Sequence, residues 1–414
     1  MIRISTSWMY QQQVNTMLDQ QSSLSATENE VSTGNAINVP SDNPTGAAQI
    51  VSLNHILAEN SQYTSNITSA NTRLSTESNT LTSVSNLLNS INDVGLGAIN
   101  STLSSSDLSN MATELTQYRN QLVQLANTTD ANGQALFAGT STTTTPFVLN
   151  SSTGSVTYAG NDQQAFTAIG PGLQVANGDA GGSLFMNLPA GNGSFVASAG
   201  ASNTGTLVVG ANSVTDTAAY QAATASGPLN DTITFGANGT YSVTDAAGNP
   251  VTDSSGNPIT GTYTDGGAIT FDGMSITMSG TPAAGDTVNV QSDTASNTQD
   301  VFTTINNMIS ALQSGDSSAQ LSNTMNRQLE SLSQAMGSVS TTQVAVGTRI
   351  DAVQQQQSDY SDLSVTYQTA LTDVQGVNMA SAISNLSLQS TALQASQEAF
   401  AKVQGTSLFD YLQG

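Results

Sequence analysis

Very few residues in this chain could do chemistry. His55 is the only histidine and there is no cysteine. One imidazole could move one proton, but thiol nucleophiles, disulfides and zinc–thiolate sites are excluded. His55 follows Leu53 by two residues, off the apolar row around it, and no nucleophile motif accompanies it. It reads as an exposed helix residue. Asp359 and Asp362 lie three apart on one helix face. Paired carboxylates can split their pKa values for acid–base work, but no pocket is implied here, and a solvated face is the plainer reading. Thr244-Asp245-Ala246-Ala247-Gly248-Asn249 and Thr252-Asp253-Ser254-Ser255-Gly256-Asn257 echo each other. They carry the residue types of a calcium loop, yet miss the EF-hand register and lack a closing acidic residue. They read as consecutive hairpin turns. No phosphate loop or dinucleotide fingerprint follows a strand. Asn-x-Ser/Thr triplets such as Asn66-Ile67-Thr68 are expected by chance in this composition. The expectation is no enzyme: no catalytic, cofactor or metal site.

Composition narrows the partners. Six basic residues against 29 acidic ones give a net charge of −23, and no Lys or Arg occurs between Arg119 and Arg327. Nucleic acid would find almost nothing to neutralise its phosphates, and an anionic membrane surface would repel the chain. No apolar run is long enough to span a bilayer. The N-terminal residues have no apolar core of the Sec-signal kind. With 37% hydrophobic, 5% aromatic and 8% charged residues over 414 positions, the chain suits an elongated molecule better than one large core.

The organising pattern is helical. Met325, Leu332, Val339, Val346, Val353, Tyr360, Tyr367 and Val374 recur every seventh residue, with a mixed companion row from Leu321 to Val377. A continuous helix over 318–377 would be roughly 90 Å long and would need a partner of similar length. Leu53, Ile56, Tyr63, Ile67, Ala70, Leu74, Leu81, Val84, Leu88 and Ile91 provide one, interrupted by Asn60 and Glu77. A third helix carries Leu108, Met111, Leu115, Tyr118, Leu122 and Leu125 after a cap at Ser106 or Asp107, making 44–130 a helical hairpin. A short amphipathic helix over Val301–Leu312 precedes the long one, in which Gly337 or Gly347 could place a bend.

Between these helices the text changes. From Thr140 to about Asn297 short alternating runs are punctuated by Gly-Asn, Asn-Gly and Asp-Gly pairs, the signature of an all-β region. The expected fold is therefore α+β and multidomain: a rod of long antiparallel helices built from both chain ends, carrying an inserted sandwich-like β domain of one or two lobes. The domains expected are 1–43, 44–139, 140–297, 298–377 and 378–414. Asn43 caps the helix that starts at Pro44, and Gln375-Gly376-Val377-Asn378 breaks the long helix.

The two ends carry the weakest stripes. Val14, Met17 and Leu24 mark the first helix; Met379, Ile383, Leu386, Leu393, Phe400 and Val403 mark the last, followed by Leu408, Phe409 and Leu412. Each stripe is apolar enough to need company and too thin to hold an isolated helix. The physical expectation is that both terminal segments are disordered in the monomer, order on assembly and form the assembly interface, in rings or helical filaments.

The same residues carry a resemblance. Met1-Ile2-Arg3-Ile4-Ser5-Thr6-Ser7, Ser32-Thr33-Gly34 and Ser41-Asp42-Asn43-Pro44 resemble the N-terminal signature of bacterial flagellar axial proteins, although flagellins typically have Asp-Asp-Ala where this chain has Asp42-Asn43-Pro44. Asp130-Ala131-Asn132-Gly133 with Leu136-Phe137 and Gly139, and the C-terminal run Lys402 to Leu412, resemble the hook-associated protein 3 family, the hook–filament junction proteins. Phe271-Asp272-Gly273 and Thr281 to Asp286 extend the likeness into the β region. The resemblance implies unfolded export through the flagellar type III apparatus and a secreted protein located at the hook–filament junction. It also implies an export chaperone on the C-terminal helix and an inner tube made by the terminal helices of several copies. The neighbours would be the first hook-associated junction protein and flagellin. The β insert is larger than in the shorter members. An atypical flagellin, or a secreted β-rich adhesin on a helical stalk, remain as alternatives.

Overall fold

The computed structural model describes residues 6–99, 103–292 and 298–405. Three helices come first: α1 (Thr6–Thr33), α2 (Pro44–Ala98) and α3 (Ser105–Ala126). Three follow the β region: α5 (Val301–Gln313), α6 (Ser318–Gln375) and α7 (Met379–Gly405). The region between them is built of antiparallel strands with one short helix, α4 (Thr217–Thr224). Helices from both chain ends thus enclose a central all-β segment in sequence. The chain divides into two compact units, Met1–Ser65 with Gln355–Gly414, and Asn66–Gln354; α2 and α6 contribute to both.

The apolar row of α2 is buried throughout its second half: Ile67, Ala70, Leu74, Leu81, Val84, Leu88 and Ile91. On α6, Met325, Leu332, Val339, Val346, Val353 and Tyr360 are buried too. The two polar interruptions of the α2 row are buried as well. Asn60 donates from Nδ2 to the Tyr360 carbonyl at 3.2 Å, beside a Tyr63–Tyr360 stack at 5.6 Å. Glu77 is taken up below. α6 passes through Gly337 and Gly347 without a break and ends at Gln375. α3 starts earlier than the sequence reading placed it. Ser104 is the cap, because its hydroxyl receives the Asp107 N–H at 3.3 Å while the Asp107 carboxylate receives the Ser104 N–H at 3.0 Å. Such a reciprocal pair satisfies two of the free donors at a helix start. α5 is capped by Asp300, which accepts from the Thr303 N–H at 2.7 Å, and it packs on α3.

The strands are β1 (Phe147–Leu149), β2 (Val156–Tyr158), β3 (Phe166–Gly170), β4 (Leu173–Ala176), β5 (Leu188–Pro189), β6 (Val196–Ala199) and β7 (Val208–Val214). They continue with β8 (Asn230–Phe235), β9 (Thr240–Thr244), β10 (Thr260–Thr262), β11 (Ala268–Phe271), β12 (Met274–Ser279), β13 (Thr287–Gln291) and β14 (Thr298–Gln299). A five-stranded sheet in the order β10-β9-β8-β13-β6 and a three-stranded sheet β11-β12-β7 share one apolar core. Ile233 and Phe235 from β8, Ile276 and Met278 from β12, and Val288 and Val290 from β13 fill it. The period-2 alternation of apolar residues is what sends these side chains inward. A second apolar group is aromatic: Phe147 meets Phe185 at 5.4 Å and Phe302 of α5 at 5.6 Å, and Phe137 meets Phe185 at 5.6 Å.

The echoing turns are hairpin turns. Asp245 accepts the N–H groups of Ala247 and Asn249, and Asp253 those of Ser255 and Asn257, at 2.8 to 2.9 Å. Gly248 and Gly256 take φ of +83° and +82°, the left-handed region that glycine enters freely. Edge strand β7 is closed by side chains of α6. Asn323 accepts the Val209 N–H at 2.7 Å and donates to the Leu207 carbonyl at 2.8 Å. Asn326 donates to the Val209 carbonyl at 2.8 Å, and Arg327 to the Gly210 carbonyl at 2.7 Å. Glu330 accepts the Asn212 N–H at 3.2 Å. Positions 323, 326, 327 and 330 form one helical face, laid along backbone groups that would otherwise template pairing with another chain.

Candidate assembly surface

Among the described residues no helix is long and apolar enough to cross a membrane. The same residues hold no group of three or more His, Cys, Asp or Glu placed for a metal ion. The surface left to consider is made by α1 and α7.

Local chemistry sets how these two helices meet. α1 ends because Gly34 adopts φ +75° and returns its N–H to the Glu30 carbonyl at 2.9 Å, a left-handed helix stop. The chain then runs beside the end of α6. Ala36 donates to the Gln375 carbonyl at 2.7 Å, and Val377 donates to the Gly34 carbonyl at 3.0 Å. Asn35 and Gly376 thereby form an isolated antiparallel bridge. The next turn is closed by Asp42, whose carboxylate accepts the Asn38 and Val39 N–H groups at 3.0 Å. Asn43 caps α2 by accepting the Gly46 N–H at 3.0 Å. Asn378 caps α7 by accepting the Ser381 N–H at 3.2 Å. So the end of α1 and the start of α7 are tied together.

At the other end Tyr10 of α1 meets Phe400 of α7 edge to face, with centroids 6.2 Å apart. The two helices therefore run antiparallel. Near that end a cleft of about 380 Å³ lies between them, lined by Met9, Gln12, Gln13, Thr16, Met17, Ser396, Ala399 and Phe400.

Burial across this pair is thin. Among the described side chains of α1 and α7 only Thr27 and Ala382 are buried. Of the residues expected at an assembly interface, Val14, Met17, Leu24, Leu386, Leu393, Phe400 and Val403 are half-buried. Met379 and Ile383 are exposed, at 43% and 53%. Leu408, Phe409 and Leu412 lie outside the described residues. Four more apolar residues are turned to solvent and were missed by counting in sevens: Trp8, Met9, Leu18 at 57% and Leu388 at 66%. Leu388 stands about 200° around the helix from Leu386, so α7 presents apolar side chains on more than one face. The signal was available as single Leu and Trp residues off the chosen row. What the arrangement offers is two helices carrying more apolar surface than they cover for each other.

Residues 4–142 match the bacterial flagellin N-terminal helical region. The crystal structure of the flagellar junction protein FlgL from Legionella pneumophila is 30% identical, with a TM-score of 0.67, and the match covers 78% of this chain and 100% of that one. The chain belongs to the hook-associated protein 3 (FlgL) family. Flagellar hook-associated protein 3 of Escherichia coli is 39% identical over 146 residues, 35% of this chain and 46% of that protein. Its Salmonella typhimurium counterpart is 33% identical over 187 residues, 45% of this chain and 58% of that protein. The matched stretch thus spans about half the length of these two FlgL relatives. The complete structural coverage of the Legionella FlgL leaves this chain with additional length.

Proposed function

We propose that this FlgL-family chain is a structural adaptor of the bacterial flagellum, secreted and placed at the hook–filament junction. It joins the flexible hook to the rigid filament through packing of α1 and α7. Copies of the chain form a tubular ring; the first hook-associated junction protein sits on one side and flagellin on the other. An export chaperone covers the C-terminal helix before secretion. The role is mechanical, with no enzymatic step. The terminal segments 1–43 and 378–414 act as the assembly domains and gain their full order on assembly. The segments 44–139 and 298–377 carry the helical body, and 140–297 faces outward.

One observation carries this reading. An antiparallel helix pair joined at one end by backbone hydrogen bonds leaves Leu18, Met379, Ile383 and Leu388 exposed, and helix faces of that kind gain stability when another helix covers them. Leu386→Asp and Leu393→Asp test it in the native bacterium. The expected result is an unchanged isolated protein, complete hooks, no filaments and flagellin lost to the medium. Normal swimming in both variants would refute it.

A further inference from the structure

A charged cluster away from the terminal helices has no part in that reading. Glu77 sits on α2 with none of its surface exposed. Its Oε1 accepts the backbone N–H of Asp179 at 3.0 Å. Its Oε2 has no hydrogen-bond partner. The nearby cations are committed elsewhere. Arg349 of α6 grips the Asp179 carboxylate with both Nη atoms, at 2.8 and 2.9 Å. Arg73, one turn before Glu77 on α2, donates to Asp130 at 2.6 Å, to the Asn177 carbonyl at 2.8 Å and to the Ala135 carbonyl at 2.9 Å. The groups facing Glu77 are therefore Arg73 on its own helix, Asp179 on the segment 177–180, and Arg349 on α6, with Asp130 behind Arg73. The segment 177–180 is pinned from two sides, by α2 through Glu77 and Arg73 and by α6 through Arg349.

An ionised carboxylate at Glu77 would be buried with one oxygen unsatisfied and the Asp179 carboxylate close by. A neutral carboxyl there keeps its one hydrogen bond and leaves only an O–H unpaired, a smaller cost than a buried charge. We infer that Glu77 is a proton-operated latch: the protonated side chain pins segment 177–180 between α2 and α6, and opening of this junction releases that proton to solvent. Burial first, then the neighbouring Asp179, pushes the Glu77 carboxyl up to about 8. The closed junction therefore holds a proton that the open one gives up above the ordinary glutamate range. Opening becomes easier as pH rises from that range towards 8 and levels off above it. Acid tightens the junction.

Hydrogen exchange of the Asp179 amide, read by mass spectrometry on the full chain and corrected for the intrinsic rise with pH, tests the latch. Between pH 5 and 7.5 the opening equilibrium should rise by up to about tenfold per pH unit and flatten above about pH 8. Glu77→Gln, which keeps the shape and cannot ionise, should lack that slope relative to the parent chain. A parent and a variant with the same slope would overturn the proposal. If Glu77→Gln fails to fold, ¹³C carboxyl NMR of the Glu-labelled parent decides. A Glu77 midpoint above about 6.5 supports the latch; one below that overturns it.

Discussion

Replacing Asp231 with asparagine should make the β-sandwich harder to open at neutral pH and change nothing in strong acid. Asp231 lies on the inward face of β8, two residues before Ile233 and four before Phe235, and is only 3% exposed. Its Oδ2 has no hydrogen-bond partner. Burial, followed by repulsion from the Asp272 and Asp245 carboxylates, pushes its pKa up to about 6, well above the ordinary aspartate range. The folded sandwich thus binds a proton that the opened strand releases. Proton retention at Asp231 favours the folded state fully below the ordinary aspartate value, and the advantage is lost as pH rises through about 6. That displacement corresponds to at most about 3 kcal/mol, or roughly a 100-fold change in the opening equilibrium. Asparagine has no proton to lose. Hydrogen exchange of β8 and β13 amides, compared between parent and variant at one pH at a time, reads the difference directly. The variant should exchange up to about 100-fold more slowly above pH 6 and equally below pH 4. Equal exchange at pH 7.5, or faster exchange in the variant, would refute the reasoning.

Asn323→Leu should expose the β7 edge. Losing the bonds to Val209 and Leu207 costs about 1–3 kcal/mol, visible as faster exchange of β7 amides with α6 still helical. Phe302→Ala empties the centre of the aromatic group and should cost about 3–5 kcal/mol, read as a lower melting temperature with assembly intact at low temperature. Raising ionic strength from about 0.05 to 0.5 M should leave self-association unchanged or strengthen it, because salt screens repulsion between like-charged copies; a steep loss by light scattering would instead indicate an ion-paired interface.

The long helices were legible because their apolar rows repeat with helical period over many turns, and Ile67 to Ile91 on α2 and Met325 to Tyr360 on α6 are buried as those rows require. Asn43 and Asn378 were legible as helix boundaries because proline fixes the backbone, glycine frees it and asparagine caps it, all locally. Partners distant in sequence were not legible. Glu77 looks like a defect in an apolar row, and its Asp179 partner lies 102 residues away. The Asn323–Arg327 face reads as polar helix surface, yet it closes a strand 114 to 117 residues earlier in the chain. Periodicity reports which face is covered, not what covers it. α4 was missed for a different reason. Its 8 residues are too few for a period to stand out among turns, and its cap at Asp216 resembles any other aspartate in that region. On the candidate surface, counting in sevens picked out Val14, Met17, Leu386 and Phe400, which are half-buried, but passed over the exposed Leu18 and Leu388, because a single row describes only one face of a helix.

The distribution of charge bears on how such a chain can associate with copies of itself. At −23, a contact built from exposed carboxylates would repel its own copies. Complementary pairing would need spare cations, and the described arginines are already engaged within the chain: Arg73 with Asp130, Arg327 with Glu330, Arg349 with Asp179, and Arg119 with Asn306. α7 escapes the difficulty. Its ionisable side chains are one acid and one base, Glu398 and Lys402, among Ser, Thr, Gln, Asn and apolar residues. α1 carries Asp19, Glu28 and Glu30, all C-terminal to its Tyr10–Phe400 contact with α7. A contact through the far ends of these helices therefore adds little charge repulsion, and what it gains comes from apolar and amide surface. The same logic accounts for the buried cations. In a chain with so few, arginines inside the fold help hold the β region to its supporting helices.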